Sequence, residues 1–174
     1  MDRSRAAGDY EGALRKIIHA FKYEGRRSLA APLAAMMSTA GSELLRDTDV
    51  LVPVPLHAVR RLQRGFNQAD DLARRLDGPV VRALWRIRAT SPQAGLTAAA
   101  RRRNVRHAFR LSPLLSRRTR SRLIEGRTVV LVDDVRTTGA TLDACARVMK
   151  EAGAKEVRAL TAARRTFRLK PEAT

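Results

Sequence analysis

The sequence contains one cysteine, few aromatic residues and no long apolar run, and each scarcity excludes a class of protein. Cys145 alone cannot form an internal disulfide, and with only three histidines it argues against a structural zinc site. No stretch approaches the roughly 20 apolar residues of a membrane-spanning helix. The N-terminus lacks the apolar core of a secretory signal. We therefore expect a cytoplasmic protein without a membrane span.

Two nucleotide-binding motifs are also missing, since the sequence contains neither GxGxxG nor a Walker A pattern. This argues against dinucleotide-binding enzymes and P-loop NTPases. The length of 174 residues and the 44% apolar content are typical of one domain with a single sizeable core. Because only 4% of the residues are aromatic, aliphatic side chains must fill most of that core.

The net charge of +18 has two explanations. A strongly basic protein suits a polyanionic partner such as DNA. However, 30 of the 35 basic residues are arginine, a bias that a GC-rich genome also produces. The arginines are spread along the chain rather than clustered, so composition leaves functional and compositional basicity equally open.

Hydrophobic periodicity predicts strands that alternate with helices. The predicted helices cover residues 10–23, about 28–45, 66–76 and 142–152, with a weak helical connector at 113–124. The predicted strands cover residues 50–55, 79–85, 108–111, 129–132 and 157–162, and residues 90–106 form a long loop. This order predicts an α/β fold with a mainly parallel sheet flanked by helices. Ligands of such sheets bind beyond the carboxyl ends of the strands.

The segment from Val129 to Thr141 carries the clearest functional signal. Its four branched apolar residues predict a buried strand, and Asp133 and Asp134 follow where that strand emerges. A Thr-Thr-Gly turn then leads into a helix, whose N-terminal N–H groups and positive dipole end suit a phosphate. The two carboxylates suit sugar hydroxyls, Mg²⁺ or both. A pentose 5-phosphate therefore matches this segment, with its phosphate in the turn and its diol on the acids.

This pattern resembles the phosphoribosyl pyrophosphate (PRPP) motif of the type I phosphoribosyltransferases. The resemblance implies a type I core at about 48–163, a small hood from the N-terminal helices at about 8–45, and Mg²⁺ as cofactor. Asp133 and Asp134 would be the catalytic acids and the metal ligands. The residues expected to bind the 5-phosphate are Arg136, Thr137, Thr138, Gly139, Ala140 and Thr141.

Three further segments narrow the resemblance. The first is Ala20-Phe21-Lys22-Tyr23-Glu24-Gly25. The second is Val52-Pro53-Val54-Pro55-Leu56, with Arg60 and Arg64-Gly65-Phe66-Asn67-Gln68 just after it. The third comprises Thr90, Gln93, Leu96, Arg102, Asn104, Ala108 and Phe109. Together with the PRPP motif they are similar to the ComF family, phosphoribosyltransferase-like proteins associated with natural competence. Many members of that family begin with a four-cysteine zinc module that this sequence lacks. Either the module was lost or the chain starts downstream of it.

The connection after the first core strand is expected to bind pyrophosphate, as it does in type I enzymes through backbone amides. The two prolines in it have no N–H, which predicts Val54, Leu56 and His57 as the donors. The alternative is a rigid turn without a ligand.

Arginines and amides elsewhere are expected at the same crevice. The resemblance implies that loop 90–106 closes over PRPP and brings Arg101, Arg102 and Arg103 to the leaving pyrophosphate. A solvated charge run is the alternative for these three. The other expected crevice residues are Arg64, Asn67 and Gln68, which open a helix and bind phosphate or a base edge, or simply cap that helix.

The predicted function is Mg²⁺-dependent displacement of pyrophosphate from C1 of PRPP by an unidentified base or amine, or the reverse reaction. The alternative is a non-enzymatic competence factor that binds nucleic acid and uses the fold as a scaffold or sensor. Under either hypothesis, DNA would bind without sequence preference. The stripe Leu29-Leu33-Met36-Met37 suits an interface as well as a core. A homo-oligomer and a partner from the competence machinery therefore both stay open.

Overall fold

The computed structural model describes residues 1–88 and 107–166. The strands in these ranges are β1 (Arg3–Ala6), β2 (Val50–Pro53), β3 (Leu84–Arg86), β4 (Phe109–Leu111), β5 (Thr128–Arg136) and β6 (Glu156–Arg164). The α-helices are α1 (Gly12–Tyr23), α2 (Ala30–Ala40), α3 (Ser42–Arg46), α4 (Ala58–Arg64), α5 (Gln68–Ala73), α6 (Arg117–Leu123) and α7 (Ala140–Glu151). A 3₁₀ turn, Arg27–Leu29, precedes α2.

The main sheet has the strand order β1-β6-β5-β2, and every pair in it is parallel. Strands β3 and β4 form a separate antiparallel pair. The α/β class with a parallel central sheet is therefore confirmed. In the described part of the chain, none of the helices has the length and apolar character needed to cross a membrane.

Strand β5 is buried on both faces because its side chains alternate between two core clusters. Val129 and Leu131 pack with residues of α7. Val130 and Val132 pack with residues of α1 and α2, including Phe21. The segment predicted as a hood thus covers one face of the sheet. Leu33 and Met37 of its apolar stripe are core residues, whereas Met36 is 43% exposed.

The N-terminal strand β1 was not predicted. Its sequence Arg-Ser-Arg-Ala has no apolar alternation, because β1 is an edge strand whose side chains are exposed or half-buried. It adds to β6 in parallel, and Asp2 anchors its start by accepting a hydrogen bond of 2.8 Å from the Val157 N–H. After β1, the Tyr10 N–H donates to the Arg164 carbonyl at 2.7 Å. These contacts bring the start of α1 to the carboxyl end of β6.

Three other elements differ from the sequence predictions. Helix α4 was missed because it has no apolar face: Val59 is 54% exposed and Leu62 is 87% exposed. Helix α5 is shorter than the predicted 66–76, since Asn67 caps its start by accepting from the Ala69 N–H at 3.2 Å. The predicted strand 79–85 divides into a single bridge between Val80 and Leu51, followed by β3. The predicted loop 90–106 falls outside the described residues.

Candidate functional site

A crevice of about 250 Å³ opens at the carboxyl end of β5. Five parts of the chain line it: the N-terminal segment with α1, the connection after β2, helix α4, strand β3, and the end of β5 with the turn into α7. Its lining residues are Tyr10, Lys22, Tyr23, Val54, Pro55, Leu56, Arg60, Arg64, Arg86, Asp133, Asp134, Val135, Arg136, Thr137, Gly139, Ala140, Thr141 and Leu142. The crevice thus lies where a parallel sheet is expected to bind its ligand.

The turn before α7 forms an anion cradle. Gly139 has a φ of 80° and is the N-cap of this 12-residue helix, with no side-chain cap hydrogen bond. Because the Asp143 N–H donates to the Gly139 carbonyl at 2.8 Å as the first bond of the helix, the N–H groups of Ala140 and Leu142 have no acceptor within the helix. Both of these residues line the crevice. A phosphate there would meet backbone donors and the positive end of the helix dipole.

The predicted phosphate-binding residues contribute unequally to this cradle. Thr137, Ala140 and Thr141 line the crevice along with Gly139. Arg136 also lines it, and its guanidinium donates to the Ser4 hydroxyl on β1. Thr138 is not among the described lining residues, and its hydroxyl is buried without a hydrogen-bond partner in the described part of the chain.

The two acids occupy opposite faces of β5. Strand alternation puts Asp133 on the face covered by α7 and Asp134 on the face covered by α1. The Asp133 carboxylate accepts a hydrogen bond of 2.9 Å from the Asp134 N–H. Burial, reinforced by the neighbouring Asp134 carboxylate, raises the pKa of Asp133 to about 7. Asp133 is therefore a carboxyl group with a high energetic cost of ionisation.

Asp134 has a partner that the sequence did not indicate. Lys22 Nζ lies 2.8 Å from Asp134 Oδ1, and the two side chains are only 15% and 11% exposed. Burial alone lowers the pKa of Lys22, but attraction to the Asp134 carboxylate outweighs it, and the pKa is raised. The available signal was the position of Lys22 within the Phe-Lys-Tyr-Glu-Gly segment, next to an otherwise apolar helix face.

The connection after β2 requires a correction. Val54 was predicted to donate its N–H to pyrophosphate, but that N–H donates to the Val132 carbonyl at 2.9 Å, as a continuation of the sheet. Leu56 lines the crevice, and its role as an N–H donor to pyrophosphate stays a prediction. His57 is not among the described lining residues; it caps α4, with Nδ1 accepting from the Val59 N–H at 3.4 Å.

Of the three residues expected to open a helix at the crevice, only Arg64 lines it. Asn67 supports the neighbouring connection, because its amide donates to the Val54 carbonyl at 3.1 Å. Gln68 is 1% exposed, and its side-chain Oε1 accepts a hydrogen bond of 3.2 Å from the Arg64 guanidinium. The same guanidinium stacks on the Tyr23 ring, 4.9 Å from its centroid. Asn67 and Gln68 therefore act behind the crevice wall.

Two arginines that were not predicted complete the described wall. Arg60 and Arg86 both line the crevice. Arg86 is 8% exposed and its guanidinium lies 5.3 Å from the centre of the Phe109 ring. Burial, with a smaller repulsion from Arg60, lowers the pKa of Arg86. Arg101, Arg102 and Arg103 lie outside the described residues.

Comparison with known proteins identifies the architecture. Residues 42–173 match the model of the phosphoribosyl transferase domain. Competence protein F of Haemophilus influenzae is 33% identical over 166 residues, which cover 90% of this chain and 70% of that protein. DNA utilization protein YhgH of Escherichia coli (strain K12) is 35% identical over 159 residues, covering 86% of this chain and 66% of that protein. This chain belongs to the ComF family of phosphoribosyl transferase domains.

A solved structure supports the fold of this ComF-family chain. The allosteric regulatory enzyme of purine biosynthesis superposes with a TM-score of 0.50 at 20% sequence identity. The superposition covers 93% of this chain and 31% of that enzyme. The domain match begins at residue 42, so Tyr10, Lys22 and Tyr23 line the crevice from outside the matched segment.

The donor set of the ComF-family crevice suits a magnesium ion that arrives with a phosphate ligand. The described residues contain no cluster of three or more His, Cys, Asp or Glu side chains that would enclose a metal by themselves. Mg²⁺ characteristically uses one or two carboxylates and completes its octahedron with substrate phosphates and waters. Asp133 and Asp134 provide that number of carboxylates in one crevice.

Proposed function

We propose that this chain binds PRPP in the crevice and catalyses displacement of pyrophosphate at C1 of the ribose, or the reverse reaction. The observation that carries the proposal is the shared crevice: the anion cradle before α7 and the acid pair at the end of β5 line one cavity. A phosphate and a sugar diol joined by one pentose match those two features.

The described residues divide between the two ends of such a ligand. The cradle of residues 137–141 would hold the 5-phosphate, and Asp133 and Asp134 would accept hydrogen bonds from the ribose hydroxyls. Arg60, Arg64 and Arg86 bring positive charge to the same cavity, where they would stabilise the departing pyrophosphate. The ribose becomes positively charged as the bond to pyrophosphate breaks, and nearby carboxylates stabilise that charge.

Magnesium belongs to this proposal through the acid pair. When bound, it would neutralise charge on the pyrophosphate leaving group. Asp133 and Asp134 are the residues that would hold it, directly or through water. The nucleophile is a base or amine whose identity the crevice does not specify.

A cytoplasmic location stays a prediction.

Calorimetric titration with PRPP and Mg²⁺ tests the proposal, and two glycine variants localise the binding. Gly139→Asp introduces a carboxylate into the anion cradle, which should abolish PRPP binding. Gly126→Asp is the matched control, because Gly126 also has a left-handed φ, of 69°, but is not among the described lining residues. Absence of binding to the wild type, or equal binding to both variants, contradicts the proposal.

A second candidate function is non-specific DNA binding in a competence system. It is favoured by the net charge of +18 and by relatives named as a competence protein and a DNA utilization protein. Arginines that bind DNA phosphates release the counterions condensed on the DNA, so the DNA affinity would fall strongly as the salt concentration rises. The two functions are compatible, because the crevice occupies only part of the surface.

A further inference from the structure

The last turn of α1 fixes a lysine inside the crevice. Lys22 follows Phe21, which is fully buried and whose ring lies 5.6 Å from that of Phe66. One turn earlier, Ile18 is also fully buried. These two residues hold the last turn of α1 against the core, and the Lys22 side chain that follows them is only 15% exposed and pairs with Asp134 at 2.8 Å. Its ammonium is therefore a fixed part of the cavity wall.

Strand alternation gives the two acids different surroundings. Asp134 faces α1 and has the ammonium of Lys22 at 2.8 Å. Asp133 faces α7, and its carboxylate accepts a hydrogen bond of 2.9 Å from the Asp134 N–H. Among the described ion pairs, Lys22 therefore pairs with Asp134 and not with Asp133. A divalent cation is not needed to keep Asp134 charge-balanced.

A neighbouring ammonium and carboxylate have the hydrogen-bonding capacity that a diol requires. An ammonium carries three donors, and only one is needed for Asp134. An ionised carboxylate has about four lone-pair sites, so it accepts from hydroxyls while it remains paired with lysine. Each ribose hydroxyl donates one hydrogen and accepts at its oxygen. Lys22 can therefore donate to the diol at the same time as Asp134 accepts from it.

We propose that Lys22 and Asp134 form a metal-independent site for the ribose diol, so that the chain binds the sugar phosphate without a divalent cation. The proposal rests on the proposed PRPP function and assigns to Lys22 a contact with the ligand. It leaves Asp133, on the other face of β5, as the acid available to a cation. Magnesium is then required for the pyrophosphate group but not for the ribose 5-phosphate group.

Titration with ribose 5-phosphate in EDTA tests this site. Wild type should bind ribose 5-phosphate. 2-Deoxyribose 5-phosphate lacks one hydroxyl of the diol and inorganic phosphate lacks both. Each should therefore bind at least about tenfold more weakly, because hydrogen bonds to charged groups are lost. Lys22→Met should weaken ribose 5-phosphate binding by a similar factor. The matched control is Lys16→Met, which removes an exposed lysine from the same helix and should leave the affinity unchanged.

Some outcomes overturn the proposal. It fails if wild type binds ribose 5-phosphate only with Mg²⁺, if inorganic phosphate binds as tightly, or if Lys22→Met binds like wild type. Lys22→Met leaves Asp134 without its counter-ion, so if that variant does not fold, the neutral double variant Lys22→Met/Asp134→Asn decides. This variant should bind at least about tenfold more weakly in EDTA. Wild-type affinity in this folded variant contradicts the site.

Failure of this proposal is distinguishable from failure of the proposed function. Titration of wild type with PRPP and Mg²⁺ is run beside the EDTA series. If PRPP binds but ribose 5-phosphate requires the cation, only the metal-independent site is wrong. If PRPP with Mg²⁺ does not bind at all, the proposed function is wrong.

Discussion

Two pairs of adjacent aspartates in this protein have opposite environments. Asp70 and Asp71, in α5, are held by three arginines. Asp70 accepts from Arg74 at 2.9 Å and from two nitrogens of Arg82 at 2.7 Å. Asp71 accepts two hydrogen bonds of 2.8 Å from Arg27. In contrast, the described ion pairs give Asp133 and Asp134 one lysine between them.

The number of cationic partners around each aspartate pair determines which pair is available to a ligand. Burial alone raises the pKa of Asp70, but hydrogen bonds from Arg82 and Arg74 outweigh it and lower the pKa. At Asp133, burial and the adjacent Asp134 carboxylate dominate, and the pKa rises to about 7. The first pair therefore joins α5 to neighbouring segments, whereas the second retains unused capacity to bind cations and hydroxyls. Acids with a shifted pKa in a crevice are candidates for a functional site, and Asp133 is such a candidate.

The largest expected effect separates the two pairs by ligand binding. Asp133→Asn/Asp134→Asn should abolish PRPP binding, since each lost charged hydrogen-bonding group costs about 1.5–3 kcal/mol. Asp70→Asn/Asp71→Asn should bind PRPP within a fewfold of wild type. Calorimetry on both folded variants, with Mg²⁺ present, measures the contrast. Equal loss in the two variants would mean that general electrostatics, not the acid pair at β5, controls binding.

The next largest effect is on the free energy of unfolding, to which Asp70 and Asp71 should contribute more than Asp133 and Asp134. Asp70→Asn/Asp71→Asn should lower the free energy of unfolding by about 3 kcal/mol, because it weakens several charge-assisted hydrogen bonds whose carboxylates are buried. Urea denaturation measures this change. The control is Asp77→Asn in the same region, where an exposed carboxylate is lost and about 0.5 kcal/mol or less is expected. A stable Asp70/Asp71 variant would contradict the structural role.

Asp133→Asn should stabilise the unliganded fold in a pH-dependent way. The folded pKa of about 7 exceeds the ordinary value of 3.8, so the folded state binds a proton more tightly than the unfolded chain does. The penalty of ionising Asp133 is absent below the unfolded pKa, grows as pH rises toward 7, and is fully present above 7. The stabilisation should therefore reach at most about 4 kcal/mol at pH 8, the full separation of the two pKa values, and be smaller at pH 5. Denaturation at several pH values measures it, and a pH-independent difference would contradict the assignment.

The sequence predicted the floor of the site better than its walls. Strand, acids, turn and helix start are contiguous from Val129 to Thr141, so local spacing sufficed to place them together. The Lys22–Asp134 pair joins residues that are far apart in sequence, and no periodicity in either segment reports that contact. The two aspartate pairs have the same sequence, Asp-Asp, and cannot be distinguished by it, because most of their arginine or lysine partners come from other elements.

The clearest error in the sequence predictions concerns a backbone hydrogen bond. The Val54 N–H was predicted to donate to pyrophosphate because the two prolines in that connection have no N–H of their own, yet it donates to the Val132 carbonyl of β5. The pairing of β2 with β5 determines this contact, and the Val-Pro-Val-Pro segment alone does not reveal that pairing. Edge strand β1 and the exposed helix α4 were missed for a related reason. Neither has an apolar face of the kind that periodicity detects.

The smallest expected effect concerns DNA, for which the two aspartate pairs should be equivalent. Replacing either pair by asparagine makes an already basic protein slightly more positive, so duplex affinity should stay within about threefold of wild type. The logarithm of affinity should fall steeply with the logarithm of salt concentration, by roughly 0.9 for each phosphate neutralised. Few aromatic side chains are present for base stacking, so single strands should show little sequence preference. Fluorescence anisotropy at two salt concentrations, with and without PRPP, measures these quantities. If only the Asp133/Asp134 variant changes DNA affinity, or if PRPP competes, DNA enters the crevice and the two pairs differ in this function as well.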